Sequence, residues 1–342
     1  MITFDSMTND SLGAFLNGEL ERLDQKLHEP LVEFTWRRDI DLREDVTIAD
    51  EVSSFTLSNF GANSGLGTGN AIGSGKSWVG KNSSQISSVS VDIAKIANPL
   101  MLWAIELAYT IPELESSMKL GRPIDQQKFQ AMKKKYEMDI DEQVYIGDTT
   151  MNKLGLVNCS NVTPVNAAVA GSTSPTGQAA STKWIDKTAD EIVADVVNAQ
   201  TNAWAATGWS VPPDRVLLPP AQFGYISGQK VSSAGNISIL RYILENNLLT
   251  NLKKGDSGEG KTLSIQPCKW LAGAGVGGTI GTPGTDRMVA YTKNEDFVRF
   301  PLTLLSRTPL QYESLYQKTT YFGRLGVVEV VYPETMGYVD GI

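Results

Sequence analysis

Histidine and cysteine are scarce in this chain. Among 342 residues there is one histidine, His28, and there are two cysteines, Cys159 and Cys268. Without a second histidine, most zinc sites and every Ser-His or Cys-His nucleophile pair are excluded. Two distant cysteines are too few for a disulfide framework, which indicates free thiols in a reducing compartment. The commonest acid–base machinery of enzymes is therefore missing.

Positive charge and long apolar runs are also limited. Thirty Lys and Arg residues stand against 38 Asp and Glu, a formal net charge of −8, and the one basic run is Lys133, Lys134 and Lys135. A dedicated nucleic-acid reader needs a concentrated positive surface and is disfavoured. The start of the chain has no basic leader, and no stretch reaches the apolar length that a bilayer requires. We expect synthesis in the cytoplasm and no membrane partner.

What is present supports a large folded core. Hydrophobic residues make up 41% of the chain and charged residues 20%, which is typical of one large domain or about two ordinary ones. Apolar residues at helical spacing from Leu12 to Leu27 predict an amphipathic N-terminal helix. Residues 32–50 are charge-rich and show no sustained core pattern, so we expect an extended arm that must lie against something else.

A long glycine-rich tip between two alternating segments predicts an extended β-hairpin. Phe55 and Leu57 alternate with polar residues before the tip, and Val91 and Ile93 do so after it. Seven of the twenty positions from residue 61 to residue 80 are glycine, which makes ordering in an isolated subunit costly in backbone entropy. We therefore expect this segment to project and to contact a neighbouring subunit.

The middle of the chain predicts a strand followed by two helices. Alternation in residues 102–109 favours a mostly buried strand, and Thr110 with Glu113 forms a capping box for a short helix. A longer helix follows over residues 125–146, with one apolar stripe. Its opposite, solvated face is expected to carry a set of charged residues: Lys133, Lys134, Glu137 and Glu142. The next motif is Gly-Leu-Val-Asn, residues 155–158.

Further helices and strands alternate irregularly after a Ser/Thr/Ala/Gly-rich loop at residues 166–182. Helical spacing recurs in residues 192–203 and from residue 239, and short apolar runs at 216–218, 288–291, 297–300 and 326–332 predict strands. This order of elements indicates a mixed α+β protein.

Two glycine motifs resemble nucleotide-binding loops but lack the required context. A phosphate-binding loop ending in Gly75, Lys76 and Ser77 needs another glycine where Asn70 stands, and no helix-forming run follows. Residues 273–278 match the G-x-G-x-x-G motif of dinucleotide-binding sites, but Pro283 and several glycines follow where that motif needs a helix. Acidic pairs such as Asp139 and Asp141 are expected to be solvated helix residues, not acid–base partners or metal ligands.

The order of these parts resembles the major capsid proteins of tailed phages, whose Hong Kong 97-type fold is shared by encapsulin shells. The glycine-tipped hairpin looks like the family's extended loop, residues 125–146 look like its spine helix, and residues 147–158 resemble the "G…GLLN" turn that follows it. The resemblance implies an N-terminal arm (1–49), an extended hairpin loop (50–98), a peripheral domain (99–187), an axial domain (188–301) and a return through the peripheral domain (302–342).

This resemblance implies a structural protein with no catalytic residue, cofactor or metal. Copies would form hexamers and pentamers of an icosahedral or prolate virion shell around double-stranded DNA, held by weak non-specific contacts. Because no sizeable helical region precedes the arm, a separate scaffold protein is implied, and decoration and portal proteins are possible partners. The candidates for inter-subunit contacts are Trp36, Arg37, Arg38, Leu66, Ile72, Trp78 and Val79. Two alternatives are an encapsulin-like compartment and a nucleotide-dependent enzyme that uses Lys76 and Ser77.

Overall fold

A computed structural model describes residues 31–62, 81, 89–120, 124–148, 151–171, 174–178, 180–232, 236–253, 262–275 and 284–342. Internal contacts divide the chain into residues 1–33 and Phe34–Ile342, and the second unit is the one described below. It mixes helices with several small sheets, as the sequence predicts. The predicted N-terminal helix, the hairpin tip and His28 lie outside the described residues.

The α-helices of the described part, numbered along the chain, are α1 (Trp36–Asp39), α2 (Ile111–Leu120), α3 (Ile124–Tyr145), α4 (Ala189–Ala206), α5 (Pro220–Gly228), α6 (Ile239–Glu245) and α7 (Leu248–Lys253). The strands are β1 (Asp41–Arg43), β2 (Val52–Ala62), β3 (Val89–Pro99), β4 (Met101–Thr110), β5 (Gly147–Asp148), β6 (Lys153–Leu154), β7 (Pro164–Asn166), β8 (Arg215–Leu218), β9 (Ser264–Pro267), β10 (Arg287–Tyr291), β11 (Val298–Pro301), β12 (Ser306–Arg307), β13 (Gln311–Glu313), β14 (Tyr316–Leu325), β15 (Glu329–Val330) and β16 (Met336–Asp340).

The long helix α3 packs one face against a sheet in which β4 pairs with β14 over their whole lengths. The ring of Trp103 on β4 lies 4.7 Å from that of Tyr136 on α3, and its indole N–H donates to Asp139 at 2.9 Å. None of the described residues covers the opposite face of β4, where Leu102 is 64% exposed. The prediction of a mostly buried β4 is therefore wrong, because a helix covers this antiparallel sheet on one face only.

A tight turn ends α3 and explains the Gly-Leu-Val-Asn motif. Gly147 has φ +81°, the left-handed conformation that suits glycine at a helix end. The backbone N–H of Gly155 donates to the side-chain oxygen of Asn158 at 2.7 Å, and the Asn158 amide donates to the Ile146 carbonyl at 3.0 Å. A Cβ on Gly155 would lie 2.4 Å from the Tyr145 carbonyl oxygen, so the chain can double back only with glycine there.

A five-stranded sheet, in the order β7-β16-β10-β8-β9, separates two hydrophobic cores. Alternate residues of β10 point to opposite faces: Val289 belongs to one core, and Met288 and Ala290 belong to the other. The first core contains the apolar stripe of α3, and the second contains that of α4. The strands come from residues 99–187, 188–301 and 302–342 alike, so these three segments share one sheet.

Helix α4 begins with a capping box in which Thr188 and Glu191 satisfy each other's backbone N–H groups. Beneath its first turns the ammonium group of Lys187, fully buried, pairs with Asp195. The Trp184 indole N–H also donates to Asp195, at 3.0 Å. Burial raises the pKa of this carboxyl group. The pair therefore joins the loop before α4 to the helix within the second core.

Residues 36–43, part of the predicted arm, pack against the body of their own subunit. Trp36 and Ile40 belong to the first core, and β1 pairs in parallel with β11. Residues 32–50 show no sustained core pattern, yet two widely spaced apolar side chains are enough to anchor the segment, because the partner surface lies elsewhere in the chain. The predicted strand at 326–332 is likewise shorter, limited to β15, which pairs with β11.

Candidate assembly surfaces

The hairpin formed by β2 and β3 leaves the body of the subunit as a two-stranded ribbon. Its register runs from the pair Val52 and Pro99 to the pair Ala62 and Val89, which confirms the predicted flanking strands. Near the body, Ser53 and Asn98 are 3% and 8% exposed. Residues 91–97 of β3 are all exposed. Beyond its first residues, β3 therefore has little cover from the part of its own subunit that the structure describes.

Apolar side chains occupy both faces of this ribbon. Val91 is 60% exposed and Ile93 is 67% exposed, and both lie on one face because strand side chains alternate. Ile96, on the other face, is 40% exposed. A ribbon that presents large apolar groups on two sides has the composition of a contact surface.

Trp36, one of the predicted contact residues, lies inside its own subunit. It is 0% exposed, and its indole N–H donates to Glu137 on α3 at 2.9 Å. Asp141, one turn further along α3, accepts the backbone N–H groups of Thr35 and Trp36 at 2.9 and 3.2 Å. A side chain with no exposed surface has nothing to offer a neighbour in this conformation, so Trp36 is a core residue here.

Arg37 and Arg38 are differently placed. The Arg37 guanidinium donates to Glu137 at 2.7 Å, yet its side chain is 66% exposed. Arg38 is 30% exposed and forms two hydrogen bonds to Asp39, at 2.7 and 2.8 Å, and one to the Pro267 carbonyl at 2.8 Å. The hydrogen bonds to Asp39 raise the pKa of Arg38. Arg37 is thus the more accessible of the two.

The carboxylates of Glu137 and Asp141, which bind residues 35–37, are predicted from the sequence to lie on solvated surfaces of the helix. Glu137 is 5% exposed and Asp141 is 1% exposed, so their assignment to solvated positions is wrong. Asp141 also accepts the Trp270 indole N–H at 2.7 Å and pairs with Lys269 at 3.1 Å. A signal was available, because Glu137, Ile140, Asp141 and Val144 follow the spacing of a buried helical stripe.

The remaining predicted contact residues, Leu66, Ile72, Trp78 and Val79, lie outside the described residues, as do Lys76 and Ser77. The second glycine motif begins after a 3₁₀ helix, Lys269–Leu271, and not after a strand as a dinucleotide site requires. Only its first three residues are described.

Of the two thiols, Cys268 is buried and Cys159 is half-buried. Burial raises the pKa of Cys268 to about 12 and also raises that of Cys159, which keeps both thiols protonated and weakly nucleophilic. Within the part of the chain that the structure describes, no three His, Cys, Asp or Glu side chains converge to hold a metal ion. No helix in the same part is both long and apolar enough to cross a bilayer.

Comparison with known proteins decides between the remaining interpretations. A family model described as the major capsid protein matches residues 75–342. The chain belongs to the major capsid protein family. This family is structural, so the capsid protein is a coat protein and not an enzyme, as predicted.

Solved capsids share the fold of this capsid protein. The capsid of Myoviridae phage XM1 has a TM-score of 0.71 and 16% identity, covering 95% of this chain and 98% of that chain. The capsid of an empty GTA particle has a TM-score of 0.58 and 11% identity, covering 99% of each chain. The structure of Mycobacterium phage Che8 has a TM-score of 0.54 and 12% identity, covering 93% of this chain and 96% of that chain. These similarities confirm the Hong Kong 97-type fold. No curated protein matches the chain.

Proposed function

We propose that copies of this capsid protein form hexamers and pentamers of a closed icosahedral or prolate shell around double-stranded DNA. The observation that carries this proposal is the projecting hairpin with apolar side chains on both faces. An isolated two-stranded hairpin is marginally stable in water, so its exposed Val91, Ile93 and Ile96 favour a covering surface. In a closed symmetric shell that surface is a neighbouring copy.

The hairpin tip and the exposed arginines complete the proposed contacts. We include Leu66, Ile72, Trp78 and Val79 because the sequence places these apolar residues between β2 and β3, and Arg37 because its side chain is 66% exposed. Arg38 contributes through its partly exposed side chain. Trp36 is left out of this set because its own core encloses it.

Other partners follow from the same proposal. The capsid protein is made in the host cytoplasm, assembles with a separate scaffold protein, and meets portal and decoration proteins in the virion. A net charge of −8 supports weak, non-specific contact with packaged DNA, because tight binding needs many unpaired Lys and Arg side chains. We also propose that residues 99–187 and 302–342 form the peripheral domain and residues 188–301 the axial domain, with residues 1–49 as the arm.

A pair of double variants on β3 tests the role of the hairpin. Replacing Val91 and Ile93 with serine removes the exposed apolar surface while leaving the strand pairing in place. We expect normal folding and cooperative unfolding of the subunit, with a loss of closed particles of at least tenfold in electron micrographs and in sedimentation. The reason is that the neighbour then covers less apolar area, because the two most exposed apolar side chains of β3 are gone.

The matched control replaces Asp92 and Lys95, two exposed residues of the same strand, with serine. This change removes one negative and one positive charge and leaves the net charge at −8. Particles should form at the parental yield. Normal particles from the Val91 and Ile93 double variant would show that the ribbon is not an assembly element.

A further inference from the structure

The place where the hairpin leaves the body, here called the hairpin root, consists of Ser53 on β2 and Asn98 on β3. These two residues face each other across the ribbon. Both are buried, whereas the next residues outward on β3 are exposed. The root is therefore the last point at which the body can determine the direction of the ribbon.

On the β2 side, the root is held by a buried carboxylate. The Ser53 hydroxyl donates to Oε1 of Glu329 on β15 at 2.5 Å. The Glu329 side chain is 0% exposed, and its Oε2 accepts from Nε of Arg299 on β11 at 2.8 Å. Arg43 on β1 donates to the Ser53 oxygen at 3.0 Å and lies 3.5 Å from Glu329. Residues of β15 and β1 thus contact one hydroxyl group of the hairpin, and Arg299 of β11 holds the carboxylate that accepts from it.

On the β3 side, two cations from other elements hold the chain. Nζ of Lys153, on the β6 strand that follows the long helix, donates to the Asn98 side-chain oxygen at 3.2 Å. Arg324 on β14 donates to the carbonyl oxygen of Leu100, directly after β3, at 3.1 Å, and also to that of Ile48, before β2, at 2.7 Å. The root is consequently fixed at both strands and not at one.

Fixing both strands matters because the ribbon is long. The part of β2 from Ser53 to Ala62 is about 30 Å long, at a rise of ~3.4 Å per residue. A rotation of about 10° at the root therefore moves the far end by about 5 Å, which is enough to misplace side chains on a neighbour. Charge-assisted hydrogen bonds are short and directional, so the Glu329 cluster resists such rotation better than backbone pairing alone.

We propose that Glu329 is a positioning residue for assembly: through Ser53 it sets the direction in which the hairpin leaves the subunit, and Lys153 supports it through Asn98. This inference rests on the proposed function, in which the hairpin lies on a neighbouring copy. The direction of the hairpin is itself a property of the single subunit, and it is measurable without assembly.

The test measures a distance distribution in the full-length subunit, below the concentration at which particles form. Spin labels are attached to cysteines introduced at Ile93 on the ribbon and at Leu304 on the body, both exposed, in a Cys159→Ala background. Cys268 is buried and stays unlabelled. Pulsed electron resonance then gives the spread of ribbon directions. Ser53→Ala and Glu329→Gln should each widen the distribution at least twofold, and Lys153→Met should widen it as well.

Ser117→Ala is the matched control, because Ser117 is also a buried serine whose hydroxyl makes one hydrogen bond, to the Leu114 carbonyl at 2.7 Å. It should leave the distribution unchanged although it also removes a buried hydroxyl and its hydrogen bond. Ser53→Thr keeps the hydroxyl and should restore the narrow distribution. Parental distributions in both Ser53→Ala and Glu329→Gln would overturn the inference. Wide distributions with normal particles would show that Glu329 sets the hairpin direction in the free subunit but would overturn its role in assembly, whereas the hairpin's own role is tested by the Val91 and Ile93 double variant.

Discussion

Buried carboxylates attach the segment around Trp36 to the long helix α3. Glu137 and Asp141 accept hydrogen bonds from indole and backbone N–H groups, and each also meets a cation, Arg37 or Lys269. An unpaired buried charge is strongly destabilising, whereas a satisfied one is tolerated and specifies geometry. These side chains therefore determine where the N-terminal part of the described chain packs.

Trp36→Ala tests this attachment at the residue scale. We expect the free energy of unfolding to fall by about 3–5 kcal/mol, because a fully buried indole leaves a cavity and Glu137 loses a donor. Chemical denaturation followed by circular dichroism measures the change. Arg37→Ala, which removes a largely exposed side chain, should cost only about 1 kcal/mol. If Trp36→Ala unfolds at the parental denaturant concentration, Trp36 does not belong to the core.

The turn after α3 is the clearest case at the scale of one element. Leu156 and Val157 return their backbone N–H groups to the carbonyls of Val144 and Tyr145 at 2.9 and 3.1 Å, so the chain closes directly against the end of the helix. Asn158 then satisfies the carbonyl of Ile146. The short motif is thus a helix-terminating device that brings the next strand back toward the body.

Gly155→Ala should disrupt that turn. Its Cβ would lie 2.4 Å from the Tyr145 carbonyl oxygen and 2.7 Å from that of Val144, and both groups are backbone that cannot move aside. We expect a loss of at least ~3 kcal/mol in unfolding free energy, measured by urea titration. Gly224→Ala in α5 is the control, since its Cβ meets nothing within 4 Å and a helical alanine is favoured by up to ~1 kcal/mol. Equal stability of the two variants would refute the proposed steric role.

For the whole subunit, burial of weak acids in the first core predicts a loss of stability in alkali. Burial raises the pKa of Cys268 and of Tyr136 to about 12, and also raises those of Tyr145 and Tyr338. These groups ionise at lower pH in the unfolded chain, near 9 for the thiol and 10 for the phenols. Their contribution is therefore complete below pH 9 and is lost as the pH rises toward 12.

The expected measurement is a free energy of unfolding, from urea titrations, that stays level up to about pH 8.5 and then falls by at most ~1.4 kcal/mol per pH unit for each buried group. Tyr136→Phe should reduce the slope between pH 10 and pH 12. Tyr312→Phe changes a tyrosine that is 69% exposed and should leave the slope unchanged. A level free energy of unfolding up to pH 12 would contradict the burial of these groups.

Local patterns in the sequence determined the elements themselves. Helical spacing predicted α3 to within a residue at each end, and alternation predicted the strands that flank the hairpin tip. Thr110 with Glu113 marked the start of α2, where the two residues form the expected hydrogen bonds at 3.3 and 3.5 Å. These features depend on contacts between residues three or four apart, or on facing strands of one hairpin, so a short stretch of chain contains the information.

Only the tertiary structure decided which of these surfaces are covered. The parallel pairing of β1 with β11 joins residues more than 250 positions apart, and no local period in the sequence reports such a partner. The burial of Glu137 and Asp141 depends on where Trp36 lies, and the open face of β4 depends on the lack of a second covering helix in the described part of the chain. Long-range packing set these outcomes, because burial is a property of the surface that meets a side chain and not of the side chain's neighbours in sequence.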